Sequence, residues 1–229
     1  MNKTPAFRHG TWDQAIFQQV YHANEYGLPD VLPDNTVVID VGGHIGSFSM
    51  LALDRGAAKV LTYEAEPHNH LMCAANLRYA EDRSRLYNIA VWHKNTVRNY
   101  AYPHDAVNTG GGNVWSTSAD ERHATVTSLT LDNILRGYEP IVKDGLCNII
   151  LKLDCEGSEY PILYASKLLP IVSEIYGEFH PMDNPPDDMV EEGWPKFNHN
   201  GLSTYLSEWF DVTMKPTVQG FGHFYAKRK

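Results

Sequence analysis

Long apolar runs are missing from this 229-residue chain: no window approaches the ~18 consecutive apolar residues that a membrane-spanning helix needs. The opening stretch, Met1 to Gln19, also lacks the basic-then-apolar layout of a secretory leader. Positive charge is scarce. Lys and Arg total 19 against 28 Asp and Glu, a formal net charge of −9, and the one short basic run is Lys227-Arg228-Lys229. A protein that tracks a duplex needs a basic stripe, so neither nucleic acid nor membrane is an expected partner. Cysteine is sparse too. Cys73, Cys147 and Cys155 are an odd number with no CxxC pair, which argues against a disulfide framework or a zinc knuckle and for three small buried hydrophobes in a cytoplasmic protein. There is no HExxH, and His68 and His70, two apart on an expected helix, point to different faces.

What is present suits a single domain. Hydrophobic residues make up 43% and charged residues 21%, enough to bury a sizeable core. Residues 1–35 read as an N-terminal extension with a helix from Trp12 to Tyr26, ended by Gly27, Pro29 and Pro33. From Thr36 onward strand-like and helix-like segments alternate. Thr36–Val41, Lys59–Tyr63 and Leu86–Val91 are expected strands, separated by helices at Ile45–Leu53 and His68–Tyr79. Such β-α-β-α-β order argues for a mostly parallel sheet flanked by helices. Cys147–Leu153 and Ile171–Phe179 read as further strands around a helix at Ser158–Lys167. A short helix (Leu202–Glu208) and an antiparallel pair (Phe210–Met214, Phe221–Ala226) close the chain. Two long segments, 102–118 with its Gly110-Gly111-Gly112 run and 181–195 rich in Pro and acid, read as loops folding over the active-site rim.

Three constellations carry chemistry. Asp40-Val41-Gly42-Gly43-His44-Ile45-Gly46 sits where a strand turns into a helix, the place where open α/β sheets bind ligands. A nicotinamide fingerprint, GxGxxG, would need glycine at position 41, where Val41 stands. The DxGxxxG layout suits S-adenosylmethionine better, since its cationic sulfonium and ammonium groups tolerate a nearby carboxylate; a nicotinamide oxidoreductase is the competing reading. Glu64 ends the next strand, 18 residues after Gly46, where an acidic residue accepts hydrogen bonds from ribose hydroxyls, with Glu66 as rival. Asp154-Cys155-Glu156-Gly157-Ser158-Glu159 brings three carboxylates to a third strand end. Glu156 and Glu159 fit either a functional role or a brace for the following helix. A nucleophilic Cys155 is disfavoured, because its acidic neighbours would raise the thiol. Tyr100, Tyr102 and Trp115 fit edge packing better than stacking on a ring substrate.

In that order DVGGHIG, YEAEP, VTSLTLDNIL and KLDCEGSE, with Glu178 and His180 in GEFH, resemble the FkbM family of S-adenosylmethionine-dependent methyltransferases from about Val37 to His180. The resemblance implies a class I methyltransferase, a Rossmann-like α/β fold with a seven-stranded, mostly parallel sheet. It also implies O-methylation of a hydroxyl on a small molecule, natural product or sugar, with a macromolecular (protein or RNA) acceptor as the alternative. Asp40, Gly42, His44, Ile45 and Gly46 would then surround the donor's amino-acid end. Glu64 would take its ribose, Asn88 to Ala90 would border the adenine, and Asp154 would lie near the sulfur. Cys155 where Val or Ile is commoner, Gly43 where Ala is usual and the long acidic loop after His180 are departures. Asp154, Glu178 and His180 are the candidate proton acceptors. His180 comes first because an unperturbed imidazole titrates near 6.5. The same three residues are the ligands for Mg²⁺ if transfer is metal-assisted.

Overall fold

The computed structural model describes residues 4–103, 107–116, 121–217 and 220–229. Helix α1 (Asp13–Phe17) runs on as one π turn, Gln18–His22, before Gly27 and the prolines divert the chain. Then follow β1 (Thr36–Val41), α2 (Ser47–Asp54), β2 (Lys59–Tyr63), α3 (Pro67–Leu77), β3 (Ser84–Tyr87) and β4 (Ala90–Val91). The hairpin β5 (Thr96–Pro103) and β6 (Glu121–Leu129) leads to short helices α4 (Leu131–Leu135) and α5 (Glu139–Lys143). The last third holds β7 (Asn148–Leu153), α6 (Glu159–Ala165), β8 (Glu174–Phe179), α7 (His199–Leu206), β9 (Phe210–Pro216) and β10 (Gly222–Arg228).

Seven strands form one sheet in the order β3-β2-β1-β7-β8-β10-β9, with β10 antiparallel to both neighbours and all other pairings parallel. β1 feeds β2 on one side, while β7 returns to the other, so the crevice between the carboxyl ends of β1 and β7 is the topological switch point. Alternation along the strands builds two cores. Val37, Ile39 and Val41 with Ile149, Leu151 and Leu153 face a cluster that includes α6 and α7. Val38 and Ile150 face a second one with α2, α3, Phe17 and Val20. Among the described residues no helix is long and apolar enough to cross a membrane.

Several boundaries differ from the sequence expectation. The expected strand 86–91 divides: β3 stays in the main sheet, whereas β4 joins a second sheet in the order β4-β6-β5. The expected loop 102–118 starts inside β5, and Asn113 bridges back to Ala101; positions 104–106 and 117–118 lie outside the described residues. The segment 181–195 packs beside the hairpin, through Arg98 to Asp188 at 2.6 Å and the buried Met189, and contributes no residue to the cavity described below.

A buried cation ties the switch point together. Asp40 and Lys152 are register partners on β1 and β7, both side chains almost fully shielded. The Lys152 ammonium lies 3.4 Å from Asp40 Oδ1 and 3.8 Å from Asp154 Oδ2, and donates to the Gly42 carbonyl at 2.7 Å. Burial works to lower its pKa, but the Asp40 and Asp154 charges outweigh that and raise it. Asp40 Oδ2 also accepts from the Ser49 hydroxyl at 2.6 Å. Lys152→Met should therefore cost about 3–5 kcal/mol in urea unfolding, the range for stripping one partner from a buried pair. Adding Asp40→Asn should recover part of that loss.

Candidate active site

At the end of β1, Gly42 has φ +76°, and a Cβ built there would sit 1.8 Å from the Asp154 carbonyl oxygen. The glycine turn and the loop after β7 thus touch backbone to backbone, an approach only glycine permits. Next along, His44 adopts φ +50°, which aims its N–H at Glu64 Oε2 (2.7 Å). Glu64 Oε1 accepts from the Glu66 N–H, also at 2.7 Å. Burial raises the Glu64 carboxyl to about 7 against the opposing pull of those two amides. Glu66 is occupied otherwise: its side chain caps α3 by accepting from the Asn69 N–H at 2.6 Å. Between the two rivals, Glu64 is the one that faces the cavity.

That cavity, about 380 Å³, opens at the switch point. Of the residues singled out from sequence, Gly42, His44, Glu64, Ile89, Ala90, Tyr100, Asp154, Cys155, Glu156 and Glu178 line it. The others hold the wall from behind. Asp40 is turned away to Ser49 and Lys152. Ile45 is fully buried in the α2 core, and Gly46 (φ +91°) starts α2. Asn88 is exposed and bonds the Glu64 and Ala65 carbonyls at 2.9 and 3.0 Å, bracing the turn between β3 and β4, while its neighbour Ile89 reaches the cavity.

Asp154, Glu178 and His180 converge, each offering an atom within 4.8 Å of the other two. Their charge states differ from the sequence expectation. Burial works to raise Asp154, but Lys152, His180 and the Tyr26 hydroxyl (2.8 Å to Oδ2) hold it below the usual carboxylate range. Burial, then the Asp154 charge beside it, push Glu178 up to about 8. His180 lies between Glu159 (3.3 Å) and Glu156 (3.6 Å); burial works to lower it, yet these carboxylates raise it to about 10. It keeps its proton through neutrality, so the first choice for proton acceptor is an imidazolium. Glu159 proves to be the brace, accepting from the Cys155 and Gly157 N–H groups at 2.7 and 2.9 Å. Each of the three offers a ligand atom that could serve a metal ion; a Mg²⁺ held there would have two carboxylates, would complete its octahedron with water, and would have to displace the imidazole proton to use His180.

Residues 40–200, well over half of the chain, match the methyltransferase FkbM domain family. The chain belongs to this family of S-adenosylmethionine-dependent methyltransferases. A solved FkbM methyltransferase from Methylobacillus flagellatus KT superposes with a TM-score of 0.50 at 14% identity, over 87% of this chain and 45% of that one. An rRNA methylase from Streptococcus thermophilus also gives 0.50, at 11% identity over 90% and 95%. The chain thus spans under half the length of its solved FkbM relative, and at these identities the likeness establishes the class I methyltransferase fold alone. No curated protein matches in sequence.

In this FkbM domain the cavity has a roof, of which the sequence revealed the share from segment 102–118 and not the share from the N-terminal extension. Ile16, Gln19, Val20 and Glu25 from the N-terminal extension line it, as do Asn108, Gly110, Gly112 and Asn113. The Trp12 N–H donates to the Val107 carbonyl (2.9 Å), and Asn69 Nδ2 to the Thr109 carbonyl (2.8 Å). Tyr100 lines the cavity beneath Gly112, while Trp115 donates to the Glu156 carbonyl at 2.7 Å. His223 on β10, register partner of Glu178 and packed edge-on to Tyr26, also lines it. Long-range contact brings residues 16–25 and His223 to this segment, so no local spacing signals those groups. A methyl donor would be held by the residues that line the cavity on this side, Gly42, His44 and Glu64, while the missing side chain of Gly42 leaves room for the Asp154 carbonyl. Gly42→Ala should destabilise the fold by more than ~1 kcal/mol and abolish S-adenosylhomocysteine binding, checked by thermal unfolding and calorimetry.

Proposed function

We propose that the chain O-methylates a hydroxyl of a small molecule, natural product or sugar in the cytoplasm, using S-adenosylmethionine. The observation that carries this reading is the placement of Asp154 and Glu178 in the same cavity as the Gly42 cradle and Glu64. A net charge of −9 and a rim of carboxylates favour such acceptors over RNA. Three free cysteines suit a reducing compartment.

When bound, the donor supplies a methyl carbon made electrophilic by a cationic sulfur. Gly42 and His44 would border its amino-acid end, Glu64 its ribose, and Ile89 and Ala90 its adenine. Asp154, kept ionised by Lys152, stands where a positive sulfur is stabilised. Aligning the acceptor for in-line attack is the main task, and orientation of this kind supplies up to ~7–11 kcal/mol in intramolecular models. An alcohol must also lose its proton. His180 carries one already and does not line the cavity, so we assign proton acceptance to Glu178, whose raised pKa makes it a stronger base than an ordinary carboxylate. His180 faces it as a fixed positive charge.

Two measurements test this. Glu64→Ala should weaken S-adenosylhomocysteine by ~1.5–3 kcal/mol in calorimetry, the range for hydrogen bonds to a charged group; unchanged affinity would remove the ribose assignment. With an acceptor found by screening against labelled donor, Glu178→Gln should lower kcat by ~10²–10⁴ while donor binding persists. A base must be deprotonated to act, so the wild-type rate should rise with pH through about 8, and chelator should leave it unchanged. A rate that rises near 6.5 and is lost in His180→Ala would return the role to the imidazole.

A further inference from the structure

Tyr26 lies buried in the N-terminal extension, outside the residues that match the family, yet its hydroxyl reaches the carboxyl end of β7. It donates to Asp154 Oδ2 at 2.8 Å. The turn that presents it is clasped. Asn24 adopts φ +52° and Gly27 φ +74°, a backbone shape that these two residue types take most readily. The Gly27 N–H donates to the Asn24 carbonyl at 2.8 Å. The Asn24 side-chain amide accepts from the Leu28 N–H and donates to the Leu28 carbonyl, each at 2.9 Å. The ring is gripped from three sides. Phe48 and His223 pack edge-on against it at 5.4 and 5.3 Å, and the Lys152 ammonium stands 5.7 Å from its centre.

Asp154 takes charge from one neighbour and direction from another. The Lys152 ammonium is 3.8 Å from Oδ2, beyond hydrogen-bond range, so it supplies a field but fixes no orientation. The Tyr26 hydroxyl, at 2.8 Å from the same oxygen, does fix one. Rotation of a carboxylate about its last torsion is otherwise broad. With Oδ2 engaged, Oδ1 has no hydrogen-bond partner among the described residues, and it is not one of the shielded polar atoms. The side chain keeps 29% of its surface and lines the cavity. Oδ1 is therefore the oxygen that a ligand meets. Tyr26 does not line the cavity, but it decides where that oxygen stands.

We propose that Tyr26 is a positioning residue, which holds Oδ2 of Asp154 so that Oδ1 faces into the cavity toward the positive sulfur of the methyl donor. The ligand half rests on the function proposed above. Attraction between charges weakens with distance, so a carboxylate free to swing toward Lys152 would lose part of its hold on that sulfur. A neutral sulfur would not register the change. Through the 24–28 turn the N-terminal extension thus becomes part of the means by which the cavity distinguishes a loaded donor from a spent one.

The test is calorimetry of the full chain with S-adenosylmethionine and with S-adenosylhomocysteine, which differ only at the sulfur. Tyr26→Phe keeps the packed ring and removes the hydroxyl. It should weaken S-adenosylmethionine ~3- to 10-fold, about the worth of one hydrogen bond, and leave S-adenosylhomocysteine within ~2-fold of wild type. In an Asp154→Asn background, where the charge is gone, the same substitution should leave the ratio of the two affinities unchanged. Asn24→Gly accepts the positive φ but loses the clasp on Leu28. It should move the ratio in the same direction, and it carries the test if thermal unfolding shows that Tyr26→Phe does not fold. Equal weakening of both ligands, a wild-type ratio, or a Tyr26→Phe effect that persists beside Asp154→Asn would overturn the inference while donor binding stands. Failure of the wild type to bind S-adenosylhomocysteine would instead overturn the functional reading and with it the assigned ligand.

Discussion

The ammonium of Lys152 is the constraint from which the site follows. It is buried between Asp40 and Asp154 and donates to the Gly42 carbonyl, so it joins β1, β7 and both loops that leave them. Taking a lysine out of water is expensive unless it is paired and hydrogen-bonded; two carboxylates and a carbonyl meet that condition. They also lie where Gly42 and Asp154 must touch. Replacing Asp40 and Lys152 by apolar groups of similar volume can leave such a sheet stable, but the largest charge that holds Asp154 ionised at the edge of the cavity would be lost.

From that fixed charge the other ionisation states can be traced outward. Asp154, kept negative by Lys152, helps raise its neighbour Glu178 and helps hold His180 cationic. Glu159 and Glu156 complete the hold on His180. A carboxylate that is easily ionised, one that is reluctant and a permanent imidazolium thus share one crevice through environment alone, not through residue type.

This is also why the sequence showed part of the site and hid the rest. The sheet, the DxGxxxG turn and the strand-end acids Glu64 and Asp154 were legible because each is local: β-branched runs, a glycine at a forced turn, an acid a set distance onward. His180 looked like a base because an isolated imidazole titrates near neutrality; that view could not include Glu159, which reaches it from α6. The hairpin β5–β6 drew no strand assignment from sequence, since Thr96–Pro103 carries Arg98, Asn99 and two tyrosines, polar and apolar residues mixed without a long apolar run. One of its faces is covered by the rest of the fold, so tertiary packing decides it and not propensity. Tyr26 and Asp154 are 128 positions apart, and no periodicity links them.

The balance of charge around the cavity favours one direction of the proposed reaction. Glu25, Glu64, Asp154, Glu156 and Glu178 all line it, with Lys152 and His180 set behind them. A ligand with a positive sulfur is attracted by the ionised Asp154 and by the ionised share of Glu64, Glu156 and Glu178, whose carboxyls burial pushes up; after methyl transfer the sulfur is neutral and that attraction is gone. Under the proposed reading the hydrogen bonds to the ribose would remain, so the spent donor would still bind, but less tightly than the loaded one by the lost charge interaction. Of these acids Glu64 is buried, Asp154, Glu156 and Glu178 are partly buried and Glu25 is exposed, so salt screens the contribution of Glu25 most and that of Glu64 least. The lysine that keeps Asp154 ionised is thus what would let the cavity tell a charged donor from its neutral product.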